Sequence, residues 1–352
     1  LVGLCYKDEK IFFQKGLKYL KKIINNSLDN NGFPKSRSIK TSIFYLKYLI
    51  LIKEWMRESQ TEIPEFIDES IFHLGQAYAF FWQNLKFDPL FNGNNVSRND
   101  EFDLYLKRLG YFFKNDNHEL ANYLSFKNKN INLIIDAGPS PQNKYSTDYQ
   151  AGALSFEFVS NGKKIFTNSG FYNKKNVRLS KLSKSTAVHN VLIIDDNSSC
   201  KFRKNSNKEF EIKEGIKITK KKINYEKNFW KISLAHDGYL KRYNLFYERE
   251  IEFYPENNKL IGCDRIIGKK MLPNLKFDIR FHLDPSAKIM KTQNNKSIFI
   301  EYETEGWKFT CDNYHIGIDN GLYFGKKNNY IENQNIFISG ITNSQKNNIK
   351  WE

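Results

Sequence analysis

The chain holds only four cysteines in 352 residues, and none stands in a C-x-x-C pair. The spacing of Cys5, Cys200, Cys263 and Cys311 excludes a zinc ribbon or a thioredoxin-like redox motif. Isolated buried thiols are the expectation, with a disulfide among the last three left open for an oxidising compartment. No apolar run approaches the roughly 20 residues of a membrane-spanning helix, and no signal peptide is visible. An initiator methionine is also lacking, and Leu1-Val2-Gly3-Leu4 reads as the end of a helix, so we expect a further N-terminal part. The absent leader therefore says nothing about export. Repeats of solenoid length are missing, as are zinc-finger and RNP signatures, which argues against a nucleic-acid partner. Acidic side chains are few, 39 against 55 Lys and Arg, leaving a net charge of +16. Such a surface suits a polyanionic partner. The abundance of Lys, Asn and Ile offers a compositional explanation of the same charge, and the lysines are dispersed rather than gathered in one stripe.

What is present divides into two textures. Between Glu9 and Leu85 apolar residues recur at helical spacing, as in Ile11, Phe12, Leu17, Leu20, Ile23 and Ile24, then Ile43, Phe44, Leu46, Leu49 and Ile50, which predicts three helices. Pro64 suits a first helical turn, with Glu65 favourable at that end. From about Ile131 short β-branched and aromatic runs alternate with Asn, Gly, Asp and Lys, an all-β pattern of sandwich type. A chain of this length exceeds one comfortable core. We expect an α+β multidomain protein: helices over 1–115 and an antiparallel β-sandwich over 116–352, with the polar stretch Phe91–Asp100 as linker.

The segment Asp148–Asp196 carries the strongest local signals. Leu154–Ser160 and Lys163–Thr167 flank Asn161-Gly162, the signature of a type I′ hairpin. A polar, basic connection follows, then Thr186-Ala187-Val188-His189-Asn190 leads into the apolar run Val191–Ile194.

Gln150-Ala151-Gly152-Ala153-Leu154-Ser155-Phe156-Glu157-Phe158, Asn168-Ser169-Gly170 and Ser185-Thr186-Ala187-Val188-His189-Asn190 resemble, in order, motifs of the heparinase II/III-like polysaccharide lyases. The resemblance continues through His236-Asp237-Gly238-Tyr239, Gly262-Cys263-Asp264-Arg265 and Arg280-Phe281-His282-Leu283, and upstream Leu28–Ser38 looks like that family's turn between toroid helices. It implies an incomplete (α/α) toroid followed by a large antiparallel β-sandwich, a periplasmic or cell-envelope location and an acidic polysaccharide as partner. The implied chemistry is β-elimination at a uronic acid. A group must neutralise the substrate carboxylate, a base must take the proton beside it, and an acid, often a tyrosine, must protonate the leaving oxygen.

This chain departs from the family at several of those positions. Gln150 stands where typical members carry a histidine and Asn168 where many carry an acidic ligand, so no zinc site or other cofactor is expected. The family's tyrosine after Arg37-Ser38 falls near Lys40 or Thr41, with Tyr45 one helical turn on, and its Asn-His pair would lie before Leu1. His189 is the leading candidate as base, proton shuttle or carboxylate-binding group, against a histidine satisfied by backbone carbonyls. His236 is a second catalytic candidate, or a turn residue set by Asp237-Gly238. Gln150, Asn168, Asn190, Arg37 and Tyr239 are candidates for binding sugar. His282, alternating with Phe281 and Leu283, faces either solvent or the site, and His73 falls on a helix face; neither is placed among the site residues.

Overall fold

Asn161 and Gly162 both adopt positive φ, 45° and 77°, and Ser160 pairs with Lys163 across them, so the hairpin forms as its sequence dictates. A computed structural model describes the chain except residues 1, 7–9, 84, 86, 97–99, 173–175, 227–228, 270–273, 293–295, 303–304 and 327–328. Two units separate, Leu1–Asp88 with Ser97–Ala121, and Pro89–Val96 with Asn122–Glu352.

The first unit contains helices Lys10–Ser27, Ile39–Glu58 and Glu65–Tyr78, as the periodicity predicts. Ser38 caps the second, its hydroxyl accepting from Thr41 N. Pro64 stands immediately before Glu65 at the start of the third. Those two helices pack through Leu46, Leu49 and Ile50 on one and Ile67, Ile71 and Leu74 on the other, all buried. Each fully buried aliphatic side chain of this kind contributes about 1.5–3 kcal/mol. The third helix continues as a π-helical turn, Ala79–Gln83, where Phe80, Phe81 and Trp82 are all buried. Among the described residues no helix is long and apolar enough to cross a membrane.

The second unit is an antiparallel β-sandwich. Strands Tyr123–Lys127, Ile131–Asp136, Phe156–Ser160 and Lys163–Phe166 form a meander in chain order. A five-stranded sheet has Lys346–Trp351 at one edge, then Lys259–Gly268, Leu245–Tyr254, Phe229–His236 and Ile218–Glu226. A third sheet orders His315–Tyr323, Ile331–Ile341, Lys276–His282 and Leu192–Ile194. Their inward faces meet in one core in which Phe156 stacks on Trp351 at 5.8 Å and Phe281 meets the same ring edge-on at 4.8 Å.

Two local features differ from the sequence expectation. The stretch Phe91–Val96 is no solvated linker: Phe91, Asn92 and Asn94 are buried, and Asn92 Nδ2 donates to Tyr123 Oη (2.5 Å) and Asp136 Oδ2 (3.0 Å). Its polar composition serves fixed hydrogen bonds, which composition alone does not distinguish from hydration; residues 97–99 lie outside the described chain. The basic connection after the hairpin contains a helix, Val177–Leu182, capped by Asn176 Oδ1 accepting from Arg178 N and Leu179 N.

Candidate functional site

Asn190 ties together the segments that the motifs single out. Its backbone N–H donates to Asn168 Oδ1 (3.2 Å), its Nδ2 donates to Phe156 O (2.8 Å), and its Oδ1 accepts from His282 N (2.5 Å). Its carbonyl accepts from the Arg249 guanidinium, which also donates to Leu154 O at 3.2 Å. The post-hairpin turn, the Leu154 corner, the strand end at His282 and the His189 turn are therefore held by one hydrogen-bonded network. Leu154 itself is at φ 66°, a strained backbone that an N–H bond to Asp136 O (2.8 Å) and the Arg249 contact hold in place.

His189 follows a short 3₁₀ turn, Thr186–Val188, and lies in extended backbone. Its Nδ1 lies 2.9 Å from Ser185 O; a carbonyl only accepts, so the proton is on Nδ1 and Nε2 carries the lone pair. Among the described residues no hydrogen bond reaches Nε2. Burial pushes the imidazole down to about 4, with the Ser185 hydrogen bond opposing it, so the ring is neutral near pH 7. The ring fits against Gly152: a Cβ there would sit 2.3 Å from His189 Cδ2 and 2.8 Å from Nε2.

Asn168 and Gln150 are both buried amides with opposite states of satisfaction. Gln150 is fully engaged, its Oε1 accepting from Gly93 N (3.2 Å) and its Nε2 donating to Gly170 O (2.9 Å) and Ser183 O (2.5 Å). Asn168 uses its Oδ1 on Asn190 N, while its Nδ2 is buried with no hydrogen-bond partner. An unmet buried donor costs on the order of 1–3 kcal/mol. Asn168 N is held by Glu157 Oε1 (2.9 Å), and that carboxylate also accepts from Thr167 Oγ1 (2.9 Å) and Lys164 Nζ (3.0 Å). Among the described residues no three His, Cys, Asp or Glu side chains gather as a metal-binding group.

His282, which the sequence left between solvent and the site, stands close to this cluster. Its Nε2 donates to Ala187 O (2.9 Å) and its Nδ1 faces Ser169 Oγ at 3.5 Å. Burial, then the charge of Arg280 and the His189 ring, lowers it to about 3. It pairs across the sheet with Asn335, which in turn pairs with Asp319, and Arg280 donates to Asn335 Oδ1 (3.0 Å) and Asp319 Oδ2 (3.1 Å). The alternation Arg280-Phe281-His282 placed these polar residues on one face; what they meet there depends on strand order, which no local pattern encodes.

The remaining candidates lie elsewhere. His236 is buried at the end of its strand, its Nδ1 accepting from Gly238 N (3.0 Å) and its ring edge-on to Tyr247 at 5.2 Å; burial lowers it to about 4. Tyr239 is buried, its hydroxyl donating to Leu192 O (2.9 Å) with Asn197 O at 3.3 Å, and burial raises its pKa. Arg37 belongs to the helical unit, where it is buried at φ 59° with Nη2 3.5 Å from Ala121 O. Tyr45 is half-buried in the Ile39–Glu58 helix beside Phe44.

The family profile described as "Heparinase II/III-like, C-terminal" matches residues 117–352. No curated protein matches the chain. Among solved structures, a mutant of the heparan sulfate lyase HepC from Pedobacter heparinus superposes with a TM-score of 0.77 at 15% identity, covering 98% of this chain and 56% of that one. A heparinase III with methylated lysines gives 0.77 at 15%, covering 98% and 55%, and another heparinase III gives 0.74 at 15%, covering 98% and 57%. The chain thus spans little more than half the length of these structures, and at such identity the likeness is one of fold: a helical part followed by an antiparallel β-sandwich.

Proposed function

Because the chain belongs to the heparinase II/III-like family, we propose that it is a polysaccharide-lyase-type protein acting by β-elimination on uronate-containing acidic glycans of heparin, heparan or alginate type. The observation that carries this reading is the pair of unused polar atoms, His189 Nε2 and Asn168 Nδ2, in a network where the neighbouring amides are engaged. The Asn168 N–H suits a carboxylate oxygen. A neutral imidazole is the form that can accept the proton beside that carboxylate, and the nearby anion favours the imidazolium that results. The electron pair of the broken C–H bond forms the new double bond as the glycosidic C–O bond breaks, and the His189 imidazolium returns the abstracted proton to the departing oxygen.

Asn190 serves as the tie that positions both groups. Gln150, His236 and Tyr239 enter as supports, since their hydrogen bonds run to backbone groups of the protein, and Arg37 enters as a residue of the helical unit. The donor set near His189 suits zinc poorly: Gln150 is locked by the backbone, Asn168 brings no charge, and His282 Nε2 is spent on Ala187 O. The site is therefore read as metal-free. The helices are read as part of an (α/α) toroid, and the location as periplasm or cell envelope.

A second reading, a glycan-binding or envelope-assembly module without turnover, is favoured by the commitment of Tyr239 and the absence of a family-like tyrosine at Lys40 or Thr41. Ultraviolet absorbance of unsaturated uronate ends separates the two. The full protein is incubated with heparan, heparin, alginate, chondroitin and hyaluronan beside His189→Ala. A rise lost in the variant supports the lyase; a flat trace with retained glycan binding supports the binding module.

A further inference from the structure

A groove of about 580 Å³ opens on the β-sandwich unit away from the His189 network's unused atoms, between the turn after His236 and the strands around Lys201 and Glu214. Lys217, Lys241 and Arg242 line it, and among the described residues no ion pair holds any of the three. Two acids share the lining: Glu214 pairs with Lys201 at 3.0 Å, while Asp237, whose Oδ1 accepts from Lys217 N at 2.7 Å, keeps its charge, so the four cations Lys201, Lys217, Lys241 and Arg242 outnumber the two acids. The lining therefore presents a surplus of positive charge in a concave setting, where cations on facing walls act together on one anionic guest. Pro139 and Pro141 form a rigid wall and Leu240 with Ile216 an apolar one, so the groove offers hydrocarbon surface beside its charges.

We propose that this groove is a second binding site, for an anionic saccharide segment whose carboxylate or sulfate groups meet Lys217, Lys241 and Arg242 while its ring C–H faces rest on the proline and aliphatic walls. The oxyanion chemistry follows from the groove itself, and the choice of a saccharide as its carrier rests on the function proposed above. The groove floor also touches the His189 segment. Ser199, in its lining, donates from its backbone N to Thr186 Oγ1 (3.0 Å), three residues before His189. The groove lining is thus tied by one hydrogen bond to the turn that carries His189.

Calorimetric titration of the full protein with a heparin tetrasaccharide, in the His189→Ala background so that nothing is turned over, tests the proposal. Lys217→Glu, Lys241→Glu and Arg242→Glu are combined, and the comparison is an equal charge change at Lys163, Lys346 and Lys350, exposed lysines outside the groove. The groove variant should lose at least tenfold in affinity in low salt while the comparison variant loses less than threefold. Equal losses in the two variants, or no tetrasaccharide binding to the parent, overturn the site. Competition by inorganic sulfate as effective as by the tetrasaccharide also overturns it, because it reduces the groove to a site for simple anions. Absence of unsaturated products in the ultraviolet assay bears on the lyase reading alone and leaves this measurement standing.

Discussion

Arg249 and Asp264 face each other on paired strands inside the sandwich, Nε to Oδ1 at 2.7 Å and Nη2 to Oδ2 at 3.0 Å, with both side chains essentially inaccessible. Leu245–Tyr254 buries every second residue, so Arg249 occupies a core position among Leu245, Tyr247, Ile251 and Phe253. The pair is tolerated because it is densely hydrogen-bonded: Tyr247 Oη (2.5 Å) and Trp351 Nε1 (2.8 Å) donate to the carboxylate, and Nη1 of the guanidinium donates to Leu154 O and Asn190 O. The ion pair and the candidate site are therefore one structure, with the guanidinium at the junction.

Removing one partner should cost far more than an exposed ion pair. Asp264→Asn leaves a buried guanidinium without its counter-charge, and a loss of about 3–5 kcal/mol in unfolding free energy is expected. Urea denaturation checks it. A loss below about 1 kcal/mol would mean that the pair is not the hub its geometry describes.

Stability should fall as pH is lowered from about 6.5 towards 4. His189 and His236 are pushed by burial to about 4 and His282 to about 3, against the unfolded value near 6.5. In that window the unfolded chain binds more protons than the folded one, so stability is full above the unfolded pKa and declines as pH drops towards the folded values. Each imidazole contributes roughly 3 kcal/mol to the decline at one pKa unit per 1.4 kcal/mol. Melting temperatures across this range, with His282→Gln beside the parent, measure the slope; a slope unchanged by the variant would remove His282 from the account.

Much of this was legible where the signal is local. Asn161-Gly162 specified a turn because only a few residues accept two successive positive φ angles, and the helical periodicity up to Leu85 marked a buried face on Ile39–Glu58 and Glu65–Tyr78, whereas Lys10–Ser27 buries only Ile24 and leaves Ile11, Phe12 and Ile23 exposed. The network around Asn190 was legible only as a set of motif positions. Which amide is free could not be read from sequence: Gln150 and Asn168 look alike as residues, and the difference arises from Gly93, Gly170 and Ser183 carbonyl and amide groups brought in by the fold. Arg249 was invisible for a similar reason, since an Arg flanked by Glu248 and Glu250 reads as a surface charge until the strand's pleat turns it inward.

Zinc should neither stabilise the parent protein nor support its glycan binding, and a chelator should leave both unchanged. Gln150→His combined with Asn168→Asp restores an imidazole and a carboxylate beside His189, a donor set that zinc accepts. The double variant loses the Gln150 hydrogen bonds and is expected to melt below the parent, then to regain several degrees with zinc while the parent does not. Stabilisation of the parent by stoichiometric zinc would overturn the metal-free reading.

Gly152→Ala probes the seat of the His189 ring with a single methyl group. The backbone there needs no special φ, so the effect is steric: the new Cβ would overlap His189 Cδ2 at 2.3 Å and Nε2 at 2.8 Å. The imidazole must rotate or the loop must shift, at about 1–3 kcal/mol of strain. Because the methyl also crowds Nε2, glycan binding or turnover should fall by more than the stability loss accounts for. Comparison with Gly306→Ala, where a Cβ meets only Ile300 O at 3.8 Å, separates crowding from a general effect of alanine. Full activity in Gly152→Ala would show that Nε2 is not the atom facing the glycan.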